Sequence, residues 1–418
     1  MKILMVNKFL YPRGGAETYM LKLGTSLEKC GHTVEYFGMY DGRNTVGNSE
    51  NLSTFNMDFH SGTLKRFVYP FKIVYSFEAK RKITALIKKF RPDIVHLNNI
   101  NFQLTPSVID AASDCGVPIV WTMHDYQSVC PNHLLYRPSE GVICEKCIDG
   151  RYINCAKYKC IHNSRVKSII GSAEAAFYSK RKTYKKVDCF ICPSEFLQSV
   201  LLRKSGVFGG KTEVVRNFTE IAPLGDLAVH SKLKDKYVVF AGRFFPEKGI
   251  SLIAGAARLL PDVRFVIAGS GPQQHLLEGI ENVHLTGFLT GDKLKQTVAG
   301  ACAMLVPSVW YENCPLSILE SQSLGTPVIT ANFGGMAELV EDGTDGIRIK
   351  ELSANALAQA VKTLLSDDGK IITMSENCLA KRSTMMTLES YTDRMEQIYN
   401  KLAGRESNAG NQRNYTRV

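Results

Sequence analysis

Two glutamates eight residues apart stand in the run Glu312-Asn313-Cys314-Pro315-Leu316-Ser317-Ile318-Leu319-Glu320, continued by Leu324-Gly325-Thr326-Pro327-Val328-Ile329. On a helix that spacing is little more than two turns, so both carboxylates lie on nearly one side. Glu312 falls just ahead of the helix, where free backbone N–H groups also point at a ligand. Such a pair can accept charge-assisted hydrogen bonds from two sets of hydroxyls, one on a sugar and one on a ribose. A capping Glu at the helix start followed by a surface Glu fits the same spacing.

A second run, Phe240-Ala241-Gly242-Arg243-Phe244-Phe245-Pro246-Glu247-Lys248-Gly249, directly follows a strand pattern. Arg243 offers a fork for two oxygens and Lys248 a point charge, a combination that can bracket a diphosphate. Gly242 and Gly249 let a backbone come close. An exposed basic loop is the alternative. Gly269, in Ala268-Gly269-Ser270-Gly271-Pro272, marks another strand-end turn, a pattern common to many α/β folds.

Near the N-terminus, Pro12-Arg13-Gly14-Gly15-Ala16-Glu17 joins the first strand to the first helix. Gly14 and Gly15 at a helix N-terminus can approach an anion, although the G-x-G-x-x-G spacing of a dinucleotide site is missing. His124, in Thr122-Met123-His124-Asp125, follows a buried strand at its carboxyl end, where a lone His is either structural or part of a cleft. Five cysteines, Cys130, Cys144, Cys147, Cys155 and Cys160, fall within 31 residues beside His133 and His162. Cys144-x2-Cys147 followed by Cys155-x4-Cys160 approaches structural-zinc spacing with a short intervening loop. Reduced thiols packing a loop, and an iron–sulfur cluster, are the alternatives.

These residues need a frame. A chain of 418 residues exceeds one hydrophobic core and fits two domains. Short apolar runs alternate with amphipathic stretches, the mark of βαβ units and parallel sheets. Strands are predicted at Lys2 to Val6, Thr33 to Phe37, Ile94 to Leu97, Pro118 to Trp121 and Cys189 to Cys192. A second set is predicted at Tyr237 to Ala241, Arg264 to Ala268, His284 to Thr286, Met304 to Pro307 and Pro327 to Thr330. Helices are predicted between them, including Ala16 to Cys30, Phe77 to Phe90, Leu252 to Leu260 and Pro315 to Leu324. The stretch Phe218 to Lys234 lacks a period and reads as a linker. A last helix, Met386 to Leu402, carries Tyr391, Met395 and Tyr399 at four-residue spacing. Ligands of such sheets bind beyond the carboxyl ends of the strands, which is where the motifs cluster.

No window supplies about 20 unbroken apolar residues for a membrane span. The apolar start Met1 to Val6 runs straight into Asn7-Lys8, so it reads as a strand and not a signal peptide. Twelve cysteines in such a chain point to thiols or metal ligands more than to disulfides. The formal charge is +11, and Lys157 to Lys186 holds nine Lys or Arg against the single acid Glu174. That run reads either as a solvated face or as attraction to anionic lipid or an anionic acceptor.

Together these pieces resemble the retaining glycosyltransferase family four (glycosyl transferases group one). The resemblance covers nearly the whole chain, and its most specific element is the glutamate pair with its Leu324 to Ile329 continuation. It implies a GT-B fold, two Rossmann-like doubly wound parallel-sheet domains facing a cleft. Residues 1–217 would be the acceptor-side domain with a Cys-rich insertion at 130–162, and 218–234 the linker. Residues 235–385 would bind the donor, 386–402 would form a helix crossing back, and 403–418 a disordered tail.

The resemblance implies that Arg243 and Lys248 hold the diphosphate of a nucleotide diphosphate sugar, UDP- or GDP-linked. Glu312 would contact the transferred sugar and Glu320 the ribose. His124 would face the reactive carbon, Gly15 would offer its N–H to the distal phosphate, and Leu289 would meet the base. Gly14, Gly242, Gly269, Asn313, Leu316 and Ser317 complete the expected donor contacts, with Cys144, Cys147, Cys155 and Cys160 as candidate zinc ligands. Where many members have Phe-Gly, this chain has Cys314-Pro315, so no N–H is available at position 315. No catalytic metal is required by this scheme.

The expected partners are a nucleotide sugar, a lipid-linked or oligosaccharide acceptor in surface polysaccharide synthesis, and the cytoplasmic face of the membrane. Acceptor contacts are expected from Asp41 to Tyr75 and from the Cys-rich loop. A nucleotide-sugar epimerase would use similar diphosphate contacts but needs acid–base carboxylates around the sugar. A nucleic-acid role is disfavoured, because the basic residues lack interleaved stacking aromatics.

Overall fold

The computed structural model describes residues 1–55, 74–204, 206–221 and 232–404. The centre of the expected linker, the tail from 405, and residues 56–73 of the expected acceptor-contacting stretch lie outside the described residues.

The first sheet comprises β1 (Lys2–Val6), β2 (Thr33–Phe37), β3 (Ile94–Leu97), β4 (Ile119–Thr122), β7 (Cys189–Cys192) and β8 (Thr212–Val214). A small hairpin, β5 (Tyr136–Arg137) and β6 (Val142–Ile143), lies between β4 and β7 in sequence. The sheet order is β2-β1-β3-β4-β7-β8, and β1 pairs in parallel with both β2 and β3. Ile3, Leu4, Met5 and Val6 are all fully buried, as expected of a central strand covered on both faces.

The second sheet has β9 (Tyr237–Arg243), β10 (Arg264–Ser270), β11 (Val283–Gly287), β12 (Ala303–Val306), β13 (Val328–Ala331) and β14 (Gly346–Ile349). Its order, β11-β10-β9-β12-β13-β14, reverses direction at β9, and its strands pair in parallel. The chain is therefore α/β, with two six-stranded doubly wound sheets.

Residue contacts divide the chain into two units. The first holds Met1–Thr122, Thr183–Phe190 and the chain from Leu388, and the second holds Met123–Lys182 and Ile191–Thr387. This division gives the Cys-rich insertion to the second unit, whereas the sequence grouped it with residues 1–217.

Within the first unit, the terminal helix Leu388–Leu402 buries Tyr391, Met395, Ile398 and Tyr399, one stripe at helical spacing. The Tyr391 hydroxyl lies 2.7 Å from that of Tyr19, which is 3.1 Å from Thr122 Oγ1. His96 spans Tyr399, 2.6 Å from Nδ1, and Thr122, 2.8 Å from Nε2. Burial pushes the Tyr19 hydroxyl up to about 12, so the network stays protonated and holds the last helix to β3, β4 and the first helix.

Candidate functional site

The second unit assembles its site from three strand ends. After β9, Phe245 leads into the short turn Pro246–Lys248 and the helix Ile250–Leu259. Gly249 joins them at φ +76, and a Cβ there would come within 2.1 Å of Pro307 O. The missing side chain thus lets the Lys248 loop press against the segment after β12. Val309 N donates to Glu247 O at 2.9 Å and fixes that contact.

Glu312 is buried at the centre of this junction. Lys248 Nζ lies 2.5 Å from its Oε1, and Ser308 Oγ and Trp310 Nε1 each donate to the same oxygen at 2.9 Å. Burial alone would raise the carboxyl pKa. Attraction to Lys248 and the three hydrogen bonds outweigh it, leaving the group below its ordinary value and ionised at neutral pH. All three donors thus converge on Oε1. Trp310 and Ser308 were missed in the sequence, where the only signal was a rare Trp two residues ahead of the glutamate.

The loop carrying Glu312 is held by backbone. Gly335 N donates to Glu312 O at 2.8 Å, and a Cβ on Gly335 would lie 1.5 Å from Asn313 O. Asn217 Nδ2 donates to Cys314 O at 2.9 Å. The helix starts at Leu316, with Pro315 as its cap and Leu316 and Ser317 half-buried in its first turn. Glu320 sits on the second turn, exposed.

His124 is brought to the same loop. Asn313 Nδ2 donates to His124 O at 3.0 Å, and Tyr126 OH donates to Tyr311 O at 3.4 Å. Asn313 thus spends its amide on the backbone, while its Oδ1 is buried with no partner among the described residues. Burial pushes the His124 imidazole down to about 4 against the opposing pull of Asp125, so it is neutral at physiological pH.

The other expected residues fall as follows. Arg243 ends β9, exposed, its guanidinium 5.1 Å from the Phe245 ring centre and in no ion pair among the described residues. Gly242 and Gly269 are register partners on β9 and β10. A Cβ on Gly269, at φ +136, would lie 1.9 Å from Gly242 O, so strand packing itself demands this glycine. Leu289 is half-buried in the loop after β11, beside Phe288, which is 79% exposed. Gly14 and Gly15 belong to the first unit, exposed at the start of the helix Gly15–Lys29.

The zinc expectation finds no support among the described residues. Cys130, Cys144, Cys147, Cys155 and Cys160 do line one pocket with Asn132, Tyr136 and Asn154. Among the described residues, however, no group of three or more His, Cys, Asp or Glu is arranged to hold a metal ion. Burial pushes the Cys130 thiol up to about 11 and the Cys147 thiol to about 12, while the hydrogen bond from Cys155 lowers that of Cys160. His133 is turned to Asp125, 3.7 Å away. Cys147, Tyr152, Cys155, Cys160 and Ala175 instead form a small packed core.

Two sequence families match the chain. Glycosyltransferase Family 4 covers residues 13–222 and Glycosyl transferases group 1 covers residues 235–367. The alpha-D-kanosaminyltransferase of Streptomyces kanamyceticus is 28% identical over 193 residues, 42% of this chain and 50% of that protein. The chain therefore spans about half the length of that relative. A UDP-Gal:alpha-D-GlcNAc-diphosphoundecaprenol alpha-1,3-galactosyltransferase of Escherichia coli is 24% identical over 340 residues, 75% of this chain and 76% of that protein. The solved structure of Anabaena HepE in complex with UDP-glucose matches with a TM-score of 0.66 at 19% identity, covering 96% of this chain and 100% of that one. The shared fold is GT-B.

Proposed function

The chain belongs to Glycosyltransferase Family 4, and from that premise we propose that it transfers a sugar from a nucleoside diphosphate donor, a UDP- or GDP-sugar, with retention of anomeric configuration. The acceptor on this reading is a lipid-linked or oligosaccharide glycan of surface polysaccharide synthesis, met at the cytoplasmic face of the membrane. The observation that carries the proposal is the convergence of Lys248, Ser308 and Trp310 on one oxygen of Glu312.

That convergence supports a division of labour. Lys248 gives one of its three N–H donors to Glu312, which leaves two for diphosphate oxygens. Arg243 adds a fork, and together the two cations stabilise the negative charge that grows on the departing diphosphate. Glu312 accepts from a hydroxyl of the transferred sugar, and Glu320 accepts from the ribose. His124, neutral, donates toward the sugar near its reactive carbon. Leu289 packs on the base and the Gly14-Gly15 turn receives the distal phosphate. The acceptor hydroxyl attacks from the face that the diphosphate leaves.

Domain roles follow the same reading. Residues 1–217 supply the acceptor side, 235–385 the donor side, and 386–402 return to the first domain, with Leu316 and Ser317 presenting helix N–H groups to the donor.

The test is a panel of UDP- and GDP-sugars assayed by thermal shift and by donor hydrolysis, with membrane lipid extract as acceptor source. A stabilising donor that is also consumed supports the proposal, since a folded-state ligand raises stability by mass action. Absence of any donor binding or hydrolysis contradicts it.

A further inference from the structure

The buried face of the helix Arg165–Lys180 in the second unit is largely polar, carrying Ser168, Ser172, Glu174 and Tyr178 beside Gly171 and Ala175. Two of the inward polar groups are hydrogen-bonded: Ser172 Oγ donates to Tyr152 O at 2.8 Å, and Ser168 Oγ accepts from Ile161 N at 3.0 Å. Its outward arc carries Val166, Ile169 and Ala173 at three- and four-residue spacing, continued by half-exposed Phe177. Val166 is 67% exposed and Ile169 51%. An ordinary surface helix does the opposite, burying its apolar stripe and turning charge to water. An exposed apolar stripe of this kind marks a surface built to be covered.

The charges around the stripe say by what. Arg165 and Lys180 lie on the exposed arc at either end, and Lys167 and Lys182 flank it. The helix's only acid, Glu174, points inward and is buried. A second copy of this chain laid across the stripe would bring cation against cation. An anionic lipid surface satisfies both features, with apolar side chains entering the headgroup boundary and cations reaching phosphates.

We propose that the outward face of the helix Arg165–Lys180 is a docking surface for an anionic lipid bilayer, the helix lying along the membrane plane with Val166, Ile169 and Phe177 inserted. The neighbouring helix Ile153–Lys157, packed by the Cys-rich core, also carries exposed Ile153 and Lys157. The inference rests on the membrane-facing part of the reading above and names the surface that serves it. No helix among the described residues is long and apolar enough to cross a membrane, so attachment through this face would be peripheral.

The experiment is co-sedimentation of the full chain with phosphatidylcholine vesicles, with and without phosphatidylglycerol, alongside a donor hydrolysis assay in solution. The wild type is expected to pellet only with the anionic vesicles, and less so as salt rises. The Val166→Glu/Ile169→Glu variant, altered only at exposed positions, is expected to bind them about tenfold more weakly with donor hydrolysis unchanged. Equal pelleting of variant and wild type, or no pelleting of the wild type, would overturn the assignment. So would a wild-type dimer that the double variant breaks while neither binds vesicles. Vesicle binding without donor hydrolysis keeps the docking surface and sinks the transferase reading, so the two failures are told apart.

Discussion

The ammonium of Lys248 lies 2.5 Å from the carboxylate of Glu312, although 64 residues separate them in the chain. Each is the other's counter-ion in a site where burial penalises an unpaired charge. Lys248→Met should therefore act twice. It removes a preorganised donor to the leaving diphosphate, with an expected loss of about 10²–10³ in kcat. It also leaves Glu312 buried without its cation. Steady-state kinetics and thermal melts of this variant check both effects.

The same pair sets a pH signature. Because the folded-state pKa of Glu312 is depressed, its ionised form contributes stability that is fully present above its ordinary value of 4.5 and is lost as pH falls through the folded pKa. Melting temperatures across pH 3–6, an order-of-magnitude window about the ordinary carboxylate value, should fall less steeply for Glu312→Gln than for the wild type.

Trp310→Phe keeps a ring beside Lys248 and deletes one donor to Glu312. Losing a hydrogen bond to a charged group costs about 1.5–3 kcal/mol. Reduced kcat with near-unchanged donor affinity is the expected outcome, because the aim of Glu312 changes and the diphosphate contacts do not. Loss of donor affinity alone would contradict this role.

Gly335→Ala should disturb the site through backbone alone. The added Cβ meets Asn313 O at 1.5 Å, so the loop carrying Glu312 must shift. Overpacking of this kind costs about 1–3 kcal/mol. A lowered melting temperature together with lost activity is expected, and full activity at unchanged stability would contradict the proposed support of the loop.

Much of this frame was legible in the sequence, for reasons that particular elements make plain. Phe77–Phe90 and Lys2–Val6 match their predicted limits because Arg91-Pro92 stops the one and both faces of the other are buried. Strands predicted to begin at Pro118 and Pro327 begin one residue later, since proline has no N–H for the ladder. The strands Thr212–Val214 and Gly346–Ile349 went unread, being short edge strands without a clear apolar run. The types of the site residues could be read at strand ends, but not which of them touch. The Lys248–Glu312 pairing and the Asn313–His124 bond join segments 64 and 189 residues apart. The cysteine spacing suggested zinc, but spacing says nothing of how closely the thiols pack, and Cys147, Cys155 and Cys160 lie together in a small core.

The reading of the cysteines as packed thiols has its own test. None of the twelve cysteines is in a disulfide, so denatured protein should titrate twelve thiols, and a chelator should leave the melting temperature unchanged. A stoichiometric metal whose removal unfolds the chain would contradict it.

The central claim, that the pocket around Glu312 and Lys248 handles a nucleoside diphosphate sugar, is tested most directly by isothermal titration of the wild type and Arg243→Ala/Lys248→Met with UDP, GDP and their sugars. The account predicts saturable binding by the wild type and at least tenfold weaker binding by the double variant, on the order of 1.4 kcal/mol or more. Undiminished binding by the double variant, or no binding of any nucleoside diphosphate by the wild type, would contradict it.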